Sequence, residues 1–347
     1  MMVQESVKPP AVNMKGRQIV QIGIVVADAP KTAKRYGEIF GIGPWRFVDI
    51  VPTNVTLHGK PLQEGESCIR AALAQLQDLQ IELLQPLYGP STHMEFLKEH
   101  GEGIHHFSFG VVDDHDQIVS ALQEKGIGTE MQGRMDGTFS YLATQKTLGT
   151  IVEVGKMPPP GAPRTVFPWG RYTPAGPGLV NMEKKRIVQI GIVVEDVEAA
   201  ARNFWELLGI GRWIFVDLKP PYVADFVLYG VEVTHREPCI RVAAANQGSL
   251  QLELLEPASG PSSHLDFLKT HGQGIHHVSF GAVDNHDACV SLFKAQGTGV
   301  EMTGLLNGST FSYMASQKDL GTIYELVKPR QGGGIGMAPR GFYPPKT

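Results

Sequence analysis

The chain has 347 residues, of which 42% are hydrophobic and 19% charged, and its formal net charge at pH 7 is −4. This composition is typical of a globular protein and leaves room for two ordinary domains. The sequence has neither a Lys/Arg cluster of the kind that follows a phosphate backbone nor an apolar run of membrane-spanning length. We therefore expect a soluble, cytoplasmic protein that binds neither nucleic acid nor membranes.

The sequence is a tandem repeat. RQIVQIGIVVADAP, from Arg17, returns as KRIVQIGIVVEDVE, from Lys185, and GEGIHHFSFGVVD, from Gly101, returns as GQGIHHVSFGAVD, from Gly272. This agreement in order indicates that one domain has been duplicated. Pro and Gly are dense between the copies, which predicts an extended connector without a helix or a ladder. The predicted parts are a first domain at 17–156, a connector at 157–184, a second domain at 185–328 and a C-terminal tail at 329–347.

Within each copy the pattern predicts a strand, a helix and further strands, and then the same order again. IVQIGIVV is rich in β-branched residues, and the helix after it has Asp28 as its cap, Pro30 in its first turn and Gly41 as its stop. WRFVDIV, CIRAALAQL and LQIELLQPL follow as strands. The second unit runs from the strand GIHHFSFGVV through the helix HDQIVSALQEKG to the strand GTIVEVGK. The predicted fold class is therefore α+β, with two βαβββ units in each copy and four in the chain.

This arrangement resembles the vicinal oxygen chelate superfamily, in which paired βαβββ units curl around a cup. The resemblance implies two cup-shaped domains, with metal ligands on the first and last strands of each unit. The implied ligands are Gln21, Glu82, His106 and Glu153 in the first copy, and Gln189, Glu253, His277 and Glu325 in the second. It also implies that Glu153 and Glu325 act as catalytic bases as well as ligands.

The surroundings of these positions agree with the resemblance. Ile81, Leu83 and Leu84 make both faces of their strand largely apolar, so an inward carboxylate of Glu82 needs a strong partner such as a cation. One imidazole, one amide oxygen and two carboxylates suit a divalent metal such as Zn, Mn, Co or Ni, with coordination positions left open. The short link between the units of a copy favours closing each site within one copy.

Other repeated residues receive simpler interpretations. Strand alternation predicts that His105 and His276 point away from the ligand face, in outward or structural positions. His93 and His264 are expected to have folding roles. The segments NVTLHGKPLQEGE and PYVADFVLYGVEVTHRE differ most between the copies, and we expect them to be loops at the cup mouths. The substrate-binding residues predicted in these loops are His58, Lys60 and Tyr229.

Open metal positions indicate that a substrate carbonyl is polarised, so that a nearby carboxylate can remove the proton from the adjacent carbon. We therefore expect a divalent-metal-dependent epimerase, racemase or isomerase that acts on a small-molecule carbonyl substrate as a monomer or homodimer. FLKEHGEGIHHFSFGVVDD and TLGTIVEV resemble methylmalonyl-CoA epimerase, whereas the ligand order with Gln first resembles eukaryotic glyoxalase I, a lactoylglutathione lyase. The further alternatives are an extradiol-type dioxygenase, which normally uses two histidines and one carboxylate, and a non-catalytic small-molecule binding protein.

Overall fold

The structure is a computed structural model that describes residues 8–158, 160–162, 164–182, 184–234, 238–330 and 337–345. The strands of the first half are β1 Gln21–Val25, β2 Trp45–Ile50, β3 Thr53–Leu57, β4 Lys60–Pro61, β5 Cys68–Leu76, β6 Leu79–Tyr88, β7 Gly103–Val111, β8 Thr129–Met135, β9 Gly137–Leu142, β10 Ile151–Lys156 and β11 Val166–Tyr172. Its helices are α1 Ala29–Phe40, α2 Thr92–His100, α3 His115–Gln123 and α4 Gln145–Leu148.

The second half repeats this order. Its strands are β12 Gln189–Val193, β13 Trp213–Leu218, β14 Val223–Leu228, β15 Val231–Glu232, β16 Cys239–Gln247, β17 Leu250–Ser259, β18 Gly274–Ala282, β19 Val300–Leu306, β20 Ser309–Met314, β21 Ile323–Lys328 and β22 Gly341–Tyr343. Its helices are α5 Val197–Leu208, α6 Ser263–His271, α7 His286–Ala295 and α8 Gln317–Leu320. None of the helices in the described residues is long and apolar enough to cross a membrane.

The sheet of each half places the first and last strands of its two units side by side. In the first half the order is β11–β2–β5–β6–β1–β7–β10–β9–β8–β3–β4. At its centre β1 runs antiparallel to β7. On the two outer sides, β6 runs parallel to β1 and β10 runs parallel to β7. The second half has the same centre, built from β17, β12, β18 and β21. The predicted α+β fold of four units is confirmed, and the units pair within each half.

The helix after the first strand begins and ends where the sequence predicts. The Asp28 side chain accepts a hydrogen bond of 3.0 Å from the backbone N–H of Lys31, which satisfies one of the free donors of the first turn. Gly41 ends the helix at φ 71°, a left-handed conformation that glycine adopts without steric cost. These two residues fix α1 to a length of three turns beside the sheet.

Four segments form strands that the sequence did not predict: β11 in the connector, β3 and β4 in one expected mouth loop, β14 and β15 in the other, and β22 in the tail. The prediction that the connector has no ladder is wrong, because β11 pairs antiparallel with β2. Its Pro168 is tolerated because β11 is an edge strand whose register shifts between Pro168 and Gly170. In the first half, the segment expected as a mouth loop is a hairpin of β3 and β4, and β3 pairs with β8 of the other unit. The connector strand and this hairpin extend the rims of the first cup.

The two halves share one hydrophobic core and meet through matched contacts. Gln145 Nε2 donates to the backbone oxygen of Gln273 at 2.6 Å, and Gln317 Nε2 donates in the same way to Glu102 at 2.6 Å. The Tyr36 hydroxyl donates to the Leu320 backbone oxygen at 2.9 Å. The reciprocal glutamine contacts have the form of an isologous dimer interface, here built within one chain.

Candidate metal centre

The predicted ligands of the first half lie on one face of four adjacent strands. Gly23 of β1 stands directly opposite Glu82 on one neighbouring strand and opposite His106 on the other. Two residues earlier, Gln21 is opposite Ser108, which in turn is opposite Glu153. Directly paired residues share a face, and so do residues two apart on a strand. The register therefore directs all four predicted ligands to the same side of the sheet.

Gly23 makes room for the imidazole at the centre of this group. A Cβ atom built on Gly23 would lie 2.0 Å from Cε1 of His106, far inside van der Waals contact. At Gly191 of the second half, the corresponding distance to Cε1 of His277 is 2.1 Å. The absence of a side chain at these two glycines allows each histidine ring to lie across the strand next to it.

Gly23→Ala is expected to displace the His106 ring and remove one of two bound metal equivalents, because the added Cβ would overlap this fully buried ring. Elemental analysis of the metal-saturated protein measures this loss. Gly128→Ala is the matched control, since a Cβ there meets no described atom within 4 Å. Retention of both equivalents by Gly23→Ala would show that His106 is not a ligand.

Carboxylates face each histidine in a buried setting. Glu82 and Glu153 are only 4% and 5% exposed, and His106 Nε2 lies 3.4 Å from Glu153 Oε2. Burial, followed by the charge of Glu153, raises the pKa of Glu82 to about 8. Such a shift means that the ionised carboxyl lacks enough positive charge nearby, which a divalent cation would supply.

The second half repeats these features. Burial raises the pKa of Glu253 to about 8, with the charge of Glu325 as the second cause. Burial also raises the pKa of Glu325 to about 7, although hydrogen bonds from Ser279 and Tyr313 oppose the shift. His277 Nε2 lies 3.9 Å from Glu253 Oε2. The two halves thus provide matching pairs of carboxyls around an imidazole, although the carboxyl nearest the imidazole is Glu153 in the first half and Glu253 in the second.

The unsatisfied polar atoms fit a cation at both sites. In the described part of the chain, the Nε2 atoms of His106 and His277 are buried and have no hydrogen-bond partner. The Gln21 amide donates to Gln80 Oε1 at 2.8 Å, and Gln189 donates to Gln251 Oε1 at 2.8 Å. These bonds use the amide N–H groups, so the carbonyl oxygens are the atoms available as ligands. The residues present therefore suit a hard or borderline divalent metal.

Alternation predicts that His105 and His276 point away from the ligand face. In the structure, both rings instead contact the ligand histidines next to them. The register between β1 and β7 shifts after Gly23, so that Ile104 rather than His105 is opposite the next residue of β1. This bulge turns the His105 ring toward its neighbour, with His105 Nδ1 at 3.0 Å from His106 Nδ1. In the second half, His276 Nδ1 is 3.1 Å from His277 Nδ1. The prediction failed because a bulge breaks the two-residue period.

A hydrogen-bond chain continues outward from His105. His105 Nε2 is 3.1 Å from the Thr92 hydroxyl, which donates to Glu130 Oε2 at 3.2 Å. Burial, followed by the neighbouring histidines, holds the pKa of His105 well below its ordinary value, so the ring is neutral. When His106 presents the Nε2 lone pair, its Nδ1–H donates to His105, whose Nε2–H donates to Thr92. The chain thereby fixes the tautomer that a metal ligand needs.

His105→Phe is expected to weaken metal binding at the first site by roughly 10–100-fold, the usual effect of removing a group that orients a ligand. The measurement is a competition titration against a chelator of known affinity, in a chain whose second site is disabled by His277→Ala. Thr92→Val, which cuts the same chain one step further out, should show a smaller loss. Unchanged affinity in His105→Phe would mean that the imidazole pair has no influence on the metal.

His93 and Tyr141 complete the surroundings of the first site, and the sequence analysis did not assign either to it. Burial, followed by the charge of His106, lowers the pKa of His93 to about 3. The Tyr141 ring centroid lies 5.2 Å from that of His93, 5.3 Å from His105 and 4.8 Å from His106. The signal available in the sequence was repetition, because His264 and Tyr313 occupy the same places in the second half.

The predicted substrate-binding residues lie apart from the ligand sets. His58 Nε2 is 2.8 Å from Glu95 Oε2, in a cavity that also contains Glu130, and Lys60 is exposed on β4. Tyr229 lines a different cavity from the one that contains Gln189. A role in substrate binding stays a prediction for these three residues.

Sequence comparison identifies the superfamily that has this fold. The profile of the Glyoxalase/Bleomycin resistance protein/Dioxygenase superfamily matches residues 20–141 and 188–311, one stretch in each half. The chain belongs to this superfamily, and its resemblance to vicinal oxygen chelate proteins is confirmed.

Individual relatives are more distant. The uncharacterized protein YqjC of Bacillus subtilis (strain 168) is 27% identical over 156 residues, which make up 42% of this chain and 93% of that protein. A mutant of 4-hydroxymandelate synthase from Streptomyces coelicolor aligns with a TM-score of 0.59 and 14% identity, over 92% of this chain and 95% of that chain. This likeness shows a common fold. Methylmalonyl-CoA epimerase from Mycobacterium tuberculosis is 22% identical over 40% of this chain and 87% of its own, with a TM-score of 0.30, too low to bear on function.

Proposed function

We propose that the protein is a divalent-metal-dependent epimerase, racemase or isomerase that moves a proton on the carbon next to a substrate carbonyl. One observation carries this proposal: in both halves, two largely buried carboxyls and an imidazole nitrogen without a hydrogen bond share one face of the central strands. Gln21, Glu82, His106 and Glu153 would hold the metal in the first half, and Gln189, Glu253, His277 and Glu325 in the second. Zn, Mn, Co and Ni all suit this donor set.

A bound divalent metal would act as a Lewis acid that makes the carbon next to the carbonyl more acidic. The protein supplies the groups that move the proton. Glu153 lies on β10 and Glu325 on β21, each at one side of the four central strands of its half. From there, each carboxylate can remove the proton from that carbon. Glu82 and Glu253 lie across the centre on the opposite outer strands. An acid and a base on opposite sides of one substrate are what an epimerase needs.

The burial of the site assists this chemistry. Tyr141 and Tyr313 are 3% and 5% exposed and border the histidine rings. Water is therefore excluded from one side of each site, which strengthens the electrostatic interactions between the carboxyls and the reacting carbon. The hydrogen-bond chain through His105 holds His106 in a single orientation while the proton moves.

The alternatives receive less support from the site. An extradiol-type dioxygenase needs two imidazoles and one carboxylate, whereas each predicted set here contains one imidazole and two carboxylates, with a further imidazole, His93 or His264, next to it. A lactoylglutathione lyase of the glyoxalase I type shares the ligand order. However, none of the described residues that line the second cavity is a Lys or Arg that would hold a glutathione carboxylate. A binding protein has no use for two buried acids in each of two sites.

Deuterium exchange tests the proposal. The metal-loaded protein is incubated in deuterated water with a panel of small ketones, 2-oxo acids and thioesters, and NMR follows the carbon-bound proton next to the carbonyl. We expect metal-dependent exchange with at least one compound, and loss of exchange after chelation. Incorporation of both atoms of dioxygen into a product, without exchange, would favour the dioxygenase instead.

A further inference from the structure

The second cup contains a cavity of about 370 Å³ whose floor includes three of the four predicted ligands. Gln189, Glu253 and Glu325 all line it, together with His264 and Tyr313. Pockets for small molecules typically measure ~300–1,000 Å³, so this one suits a compact ligand. A carbonyl group that reaches the floor would leave the rest of the ligand against the walls.

The walls of this cavity are apolar. Phe226, Phe311, Met302 and Leu306 border it, and none of the described lining residues is a Lys or Arg. An anionic group on the part of the ligand that lies against these walls would lose its hydration and find no cation among those residues, which is unfavourable. The cavity is therefore suited to an uncharged body attached to the carbonyl.

The first cup differs because the connector ties its two rims together. Thr165 accepts a hydrogen bond through its backbone oxygen from Val51, at the end of β2. The same residue exchanges two hydrogen bonds with Asp136, in the turn between β8 and β9, at 2.7 and 2.8 Å. Val166 follows and is paired with Ile50, so its side chain lies on the same face of the sheet, toward the inside of the cup. The connector thus spans the mouth of the first cup.

Over the residues that the structure describes, fewer positions of the second half take part in the corresponding contact. In the described residues, the tail strand β22 pairs with Trp213, Ile214 and Phe215 and does not reach Leu218, the counterpart of Ile50. Leu218 lines the second cavity instead. The described structure therefore covers the mouth of the first cup more completely than that of the second.

We propose that the second cup is the substrate-accepting site and takes an uncharged carbonyl compound with a compact apolar or aromatic body, while the connector closes the first cup to it. The identity of the reacting group rests on the proposed function. The preference for an apolar, uncharged body rests on the cavity alone and is testable without metal or turnover.

Two fluorescent probes with one skeleton test this preference on the full chain. N-phenyl-1-naphthylamine is uncharged, and 8-anilino-1-naphthalenesulfonate carries a sulfonate on the same rings. We expect the uncharged probe to bind the metal-free protein at least about tenfold more tightly, because the sulfonate would be buried without a partner. Equal or tighter binding of the sulfonate would overturn the proposal.

Matched variants locate the probe. Leu306→Glu puts a carboxylate in the cavity wall, at a half-buried position near the end of β19, and should weaken binding of the uncharged probe by at least about tenfold. Met135→Glu makes the equivalent change in the first cup and should leave binding within about twofold, less than ~0.5 kcal/mol. An equal effect of both changes would show that the cups are equally open. Failure of metal binding or exchange, with probe binding retained, would instead overturn the proposed function alone.

Discussion

Replacing Glu153 and Glu325 together by Gln is expected to lower the rate of proton exchange by roughly 10²–10⁴-fold, the usual contribution of a general base. Glutamine keeps an oxygen ligand at each position but cannot accept the proton. The metal content should therefore change much less than the turnover. Because the second cup is proposed to be the accepting site, Glu325→Gln alone should cause most of the loss.

The comparison needs metal-saturated proteins and a matched control. Turnover and metal content are measured for both single variants, the double variant and Glu124→Gln, which changes an exposed carboxyl after α3. Glu124→Gln should retain full exchange. If the double variant exchanges at the wild-type rate with its metal in place, these glutamates are not the bases, and Glu82 and Glu253 become the candidates.

Local sequence signals predicted most of the fold. Asp28 and Gly41 bound α1 because capping is decided by a few neighbouring residues. The β-branched residues of IVQIGIVV correctly indicated the strand β1. Duplication then helped further, since each prediction for the first half was made again on a different sequence in the second.

The remaining features depend on contacts between distant segments. No signal near His105 marks the bulge that turns its ring toward His106, because the bulge exists only in the register between β1 and β7. Likewise, the Pro and Gly residues around Pro168 favour an extended chain in isolation. They form an edge strand because the free edge of β2 is available to them. Periodicity is a property of one segment and carries no information about which distant strand pairs with it.

The second large effect concerns stability, and it follows from the core shared by the halves. Phe40 ends α1 in the first half, yet its ring packs against three rings of the second half. Its centroid lies 5.4 Å from that of Phe280, 5.7 Å from Phe293 and 4.8 Å from Tyr324. Phe40→Ala is expected to lower the free energy of unfolding by about 3–5 kcal/mol, because it leaves a cavity between the halves that neither half can fill alone.

Thermal and denaturant unfolding of the full chain measure this effect. Phe167→Ala is the matched control, since that ring is 51% exposed on β11 and its removal should cost less than about 1 kcal/mol. A shared core makes the halves unfold together, so the Phe40 variant should show one transition, shifted as a whole. Two separate transitions, of which only the first-half transition moves, would mean that the halves fold independently. In that case the ring contacts across the halves contribute little, and each metal site could be studied in an isolated half.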